Sequence, residues 1–148
     1  MGTIVDIKTG IYNLLFAVEG IGNIYKRYRA IRDPKNFDSV FVSDSIVNAW
    51  MITNPNIIND PEALGGIIRR HWTFQIEGWY SFDDSGDSEA DFDALVEAIQ
   101  DKFEGEHNIG GVTYQSECLQ VESKMVEEFN GVDCHHAILS LAVSKLPV

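Results

Sequence analysis

A chain of 148 residues is the length of one domain, and its 45% apolar and 11% aromatic content excludes wholesale disorder. A net charge of −12 repels phosphate backbones and so disfavours general nucleic-acid binding. No apolar run approaches the roughly 20 residues needed to span a bilayer, and the opening stretch carries Asp6 and Glu19 where a secretory signal would be apolar.

The expectation is therefore a soluble, cytosol-made protein. Its charge is uneven. Residues 1–35 hold six Lys or Arg against three acids, whereas residues 71–107 hold eleven acids against Lys102 alone. Such asymmetry suits head-to-tail association, and it suits a solvated acidic face equally well. Cys118 and Cys134 are too few for a disulfide framework, so reduced, buried thiols are expected.

In chain order, Ile4, Ile7, Ile11, Leu14, Leu15 and Val18 recur at three- and four-residue spacing, which predicts a helix over about 4–19. Gly10 weakens that helix, and Gly20 with Gly22 ends it. Residues 23–32, NIYKRYRAIR, alternate aromatic and basic side chains and read as an edge strand. Asp33-Pro34 starts a short helix carrying Phe37, Val40 and Phe41. A strand is predicted over 46–53. Residues 54–66, with two prolines and Gly65-Gly66, read as the longest loop.

The clearest strand is 68–82. Trp72, Phe74, Ile76, Tyr80 and Phe82 share one face, and His71, Thr73, Gln75, Glu77 and Trp79 the other. An acidic turn at 83–88 leads into a helix over 89–103, where Ser88 and Asp91 have the spacing of a capping box. Phe92, Leu95, Val96, Ile99 and Phe103 form its apolar stripe. Strands over 112–123 and 133–145 follow, separated by a turn at 127–131, and Ala137, Leu139, Leu141 and Val143 line one face of the last. The sum is a single α+β domain, residues 1–148. Its sheet is mostly antiparallel with four to five strands, and two main helices pack on one face.

Motifs of chemistry are sparse. The acidic run 83–93 lacks the Gly and Glu of a calcium loop, and its carboxylates suit a helix N-terminus. Cys134, His135 and His136 resemble a metal cluster, but adjacent strand residues face opposite ways. A zinc site would need Cys118 and one of His71 and His107 to converge there as well. There is no nucleophile elbow, P-loop or dinucleotide fingerprint. The reading is of a non-enzyme with no cofactor and no metal. Arg27, Arg29 and Arg32 are the candidate contact residues on the basic strand. Trp79 is a candidate interface aromatic because its face is otherwise polar, and a core position suits it equally.

Several phrases resemble the tail terminator, or tail completion, proteins of long-tailed bacteriophages. They are the N-terminal helix before IYKRYRAI, the segment NFDSVFVSD leading into IVNAWMIT, and RHWTFQIEGWYSFDDSGDSEADFDALVEAIQDKF. The ending GVDCHHAILSLAVSKL, with Cys-His before alternating apolar positions, is similar to that family's last strand. The resemblance spans most of the chain, with no family phrase for residues 54–66. It rests on pattern, because such proteins have no catalytic residues to carry over.

What the resemblance implies is a structural virion protein assembled in the bacterial host cytoplasm. Six copies usually form a ring that caps the tail tube, stops its polymerisation and docks to the head. The partners would be neighbouring copies, the tail tube protein and the head-tail connector, while genomic DNA passes through without specific binding. Asp91, Asp93, Glu97 and Asp101 would then line the channel or an intersubunit contact. Another neck component, such as a head-tail joining protein, is the nearest alternative. A small metal-dependent enzyme or metal-binding module using Cys118, Cys134, His135 and His136, and an acidic protein that mimics DNA charge, are the others.

Overall fold

The computed structural model describes residues 3–29, 34–61, 68–106, 108–111, 113–115, 118–129 and 131–145. Helix α1 (Thr3–Phe16) buries Ile7, Ile11 and Leu15 along the predicted stripe. It stops three residues earlier than its apolar spacing suggests, and Val18 is buried from the turn that follows. Gly10 has a packing reason to interrupt the stripe. A Cβ there would collide with the backbone of Gly110, so the glycine lets the turn at 109–111 approach the helix.

Strand β1 (Asn23–Tyr25) runs parallel to the next long strand and is only three residues long. The predicted basic strand is thus corrected: Lys26, Arg27 and Arg29 lie beyond it, and Arg32 falls outside the described residues. The Asn23 amide donates to the carbonyls of Val40 and Val42 (2.8 and 3.2 Å), and Tyr25 Oη donates to Val40 O at 2.7 Å. Those bonds fasten the end of α2 (Pro34–Phe41) to the sheet margin.

After α2, β2 (Val42–Ser43) turns directly into β3 (Ile46–Pro61). Asp44 and Ser45 both have positive φ, 53° and 69°, as a two-residue hairpin turn requires. β3 is the main departure from expectation. It runs through the predicted loop as far as Pro61, pairing with β4 (Ile68–Ser81) across most of its length. The register shifts between Thr53 and Asn56, which places Pro55 in an irregularity where its missing N–H breaks no ladder.

An acidic turn leads to α3 (Ser88–Phe103), followed by β5 (Asn108–Ile109) and β6 (Thr113–Gln115). The chain ends in a hairpin of β7 (Gln120–Phe129) and β8 (Val132–Lys145). The turn predicted over 127–131 is therefore shorter, since Glu127–Phe129 still pair with Val132–Cys134. The strand order is β1-β3-β4-β8-β6-β5, with β2 beside β3 and β7 beside β8. Among the described residues only β1 with β3 is parallel, and the other pairs are antiparallel. Four long strands plus the short segments exceed the four or five strands expected, because two- and three-residue pairings leave too weak a pattern to read.

Strands β3, β4 and β8 bury residues on both faces. Trp50, Ile52, Trp72, Phe74, Ile76, Leu139 and Leu141 share a cluster with the stripes of α1 and α3. Their neighbours Val47, Ala49, Met51, Trp79 and Cys134 join Val40 and Phe41 of α2 in a second cluster. Successive strand residues point to opposite faces, so the sheet is apolar on both sides along its middle. Its described residues form a mixed α and β domain around a mostly antiparallel sheet.

Candidate functional site

The basic margin is built where α1 meets the segment after β1. Lys26 lies over the Tyr12 ring at 5.6 Å and within 3.4 Å of Thr9 Oγ1, which ties the segment to the helix. Arg29 is half-buried, with its guanidinium 4.7 Å from the Tyr25 ring centre. Arg27 is exposed. Of the three predicted arginines, Arg27 and Arg29 thus follow β1, Arg29 on the side of α2 and Arg27 exposed. Sequence reasoning missed Phe16, stacked on Tyr12 and 69% exposed at the end of α1.

Trp79 lies in the second cluster, only 8% exposed, so its interface role is corrected to packing within the domain. The indole stacks on His136 with ring centres 3.7 Å apart and meets Phe129 at 4.3 Å. Its face looks polar in sequence, but α2 and Phe129 cover it from distant parts of the chain.

Asp91, Asp93, Glu97 and Asp101 all lie exposed on α3, opposite its buried stripe. They form a charged helical face, with Asp93 paired to Lys124 of β7. Tyr80 is held above its ordinary phenolic pKa by burial first and by the Asp91 carboxylate second. An open groove of about 300 Å³ separates the turn after α1 from α3, lined by Glu19, Gly20, Tyr80, Asp91, Ala94 and Leu95.

The predicted capping box does not form. Asp87 is the N-cap of α3 and makes no side-chain capping bond, while Ser88 is buried at the first helical position. Ser88 Oγ accepts from the Asp83 N–H at 2.9 Å and lies 3.0 Å from His135 Nε2. The hydroxyl therefore ties the acidic turn to β8 instead of capping its own helix. Burial lowers the His135 pKa; the Glu89 carboxylate opposes that shift and Lys124 reinforces it. Phe82 and Phe92 flank the same imidazole.

His136 points to the other face, where its Nε2 lies 2.7 Å from Glu77 Oε1. The Nδ1 atom is 3.0 Å from Glu127 Oε2 but makes no hydrogen bond with it. Glu77, Glu127 and His136 thereby link β4, β7 and β8. Cys134 is fully buried with its thiol pushed up to about 11, by burial first and by Asp133 second. Cys118 is exposed, which corrects the expectation of two buried thiols.

His135 and His136 thus serve separate polar contacts on opposite faces of the sheet. Among the described residues no group of three metal-ligating side chains converges. Also among them, no helix is long and apolar enough to cross a membrane. Comparison with known protein families and with curated proteins finds no match to this chain.

Proposed function

We propose that the chain is a structural virion protein, the subunit of a ring that caps a phage tail tube and docks it to the head. The observation that carries this reading is the segregation of charge on one α/β scaffold. Helix α3 presents an exposed acidic face, while Lys26 and Arg27 stand exposed on the segment after β1, with Lys26 over the Tyr12 ring of α1. A heterologous contact between unlike margins closes into a ring when its rotation divides a full turn. Charge complementarity would set the orientation of such a contact.

The segment resembling tail terminator proteins also contributes support, because RHWTFQIEGWYSF and the following acidic residues fold as one strand, turn and helix. Neighbouring copies, the tail tube protein and the connector are the proposed partners. Genomic DNA would pass the ring unbound, and acids at the lumen would discourage adhesion. The protein would act in the neck of the virion after assembly in the host cytoplasm. No catalytic role is assigned.

The deciding experiment incubates the purified chain with growing tail tubes and measures tube length and end decoration by electron microscopy. Capped ends and halted growth are expected. Tubes that elongate unchecked and carry no density at their ends would reject the reading.

A further inference from the structure

The hairpin of β7 and β8 contains an arrangement that the isolated chain leaves unfavourable. Glu128 and Asp133 are directly paired across the two strands, and both are exposed. Like charges opposite one another destabilise a strand pair. Neither acid meets a cation among the described residues, since Lys124 is paired with Asp93. On the same face Val126, two residues before Glu128, is 50% exposed, and Phe82, whose N–H donates to the Asp133 carbonyl, is 37% exposed, so apolar side chains adjoin the acidic corner. Strand β7 pairs with β8 alone among the described residues.

The margin near α1 has the complementary composition. Phe16 is 69% exposed beside Tyr12, and the ammonium of Lys26 lies over that Tyr12 ring. Arg27 is exposed next in sequence. Aromatic and basic residues together are the composition of binding anchors, and an apolar surround that excludes water strengthens charge pairing. Among the described residues neither patch has an ion-pair partner of the kind that the other would supply.

We propose that Phe16, Lys26 and Arg27 of one copy seat on the Glu128–Asp133 corner of a second copy, the cations relieving the like-charge pair. This contact rests on the ring reading and gives it a specific joint. The two patches are different, so the contact is head-to-tail and leaves an unused patch at each end until a ring closes.

Reciprocal charge reversal tests it. One variant carries Lys26→Glu and Arg27→Glu; the other carries Glu128→Lys and Asp133→Lys. Native mass is read by light scattering at high protein concentration in low salt, with circular dichroism confirming each fold. The wild-type chain is expected to be oligomeric, and each variant alone to lose at least about tenfold in association. An equimolar mixture should recover assembly, because every junction then pairs opposite charges. Wild-type protein that stays monomeric would overturn the contact, and the tube-capping assay would still judge the ring reading separately. An oligomeric wild type whose assembly ignores both reversals would overturn the joint while leaving a ring intact.

Discussion

Replacing Gly78 with alanine introduces one methyl group at a tightly covered point of β4. A Cβ at this position would overlap Cζ3 and Cε3 of Trp50, whose ring lies across the glycine from β3. Carbon atoms in contact normally stay ~3.5–4.0 Å apart, so the indole must move. It is poorly placed to do so. Trp50 is fully buried, its Nε1 donates to Asn48 Oδ1 at 3.0 Å, and its ring stacks on Phe92. Asn48 is itself held by a 2.9 Å bond from Nδ2 to Gly20 O.

Overpacking of this kind costs ~1–3 kcal/mol. Losing the indole hydrogen bond would add ~1 kcal/mol, so a total destabilisation of about 2–4 kcal/mol is expected. Urea unfolding followed by tryptophan fluorescence should show a lower midpoint at unchanged slope. A double-mutant cycle with Trp50→Leu provides the stricter test. The smaller side chain should accept the methyl, making the double variant more stable than the sum of the two single losses implies. A Gly78→Ala loss below ~0.5 kcal/mol, or strict additivity in the cycle, would refute the steric argument.

The two thiols should differ in reactivity. Exposed Cys118 should label rapidly with a maleimide near neutral pH, while Cys134, buried with its pKa at about 11, should label only after unfolding; equal rates in native protein would contradict that placement. His135 has a lowered pKa, so the native state resists a proton that the unfolded chain accepts near its ordinary value of 6.5. Its contribution to stability should be complete above that pH and decline as the pH falls through it, and a His135→Gln variant should lose this part of the slope in acid unfolding curves. Ser88→Ala should cost ~1–2 kcal/mol, because the Asp83 N–H and His135 Nε2 lose their shared hydroxyl; a thermal melt within ~0.5 kcal/mol of wild type would count against that tie. Neutralising Asp91, Asp93, Glu97 and Asp101 together should preserve assembly if this α3 face lines a channel, whereas loss of the oligomer in light scattering would place the acids at a subunit contact.

Periodicity along single segments carried much of the architecture. The stripes of Ile7, Ile11 and Leu15, and of Phe92, Leu95 and Ile99, are buried because a helix brings residues three and four apart onto one side. Alternation likewise separated Phe74 and Ile76 from Glu77 and Trp79, and located the apolar face of β8. Composition also marked the acidic α3 face, whose four predicted carboxylates are all exposed. These features depend mainly on local backbone geometry, which a sequence states directly.

Other features depended on partners distant in the chain. Residues 56–61 look like a loop, yet β4 supplies a pairing edge and a register shift absorbs the proline before them. Trp79 looks available on a polar strand face until Phe129 and α2 close over it. Ser88 has the spacing of a cap, but His135, 47 positions away, takes its hydroxyl into a different contact. The Glu128–Asp133 pair exists only once the hairpin register is set. Sequence alone thus determined which stretches could bury a face and where charge accumulates; the tertiary structure decided pairing, coverage and contact, because those energies belong to groups brought together only when the chain folds.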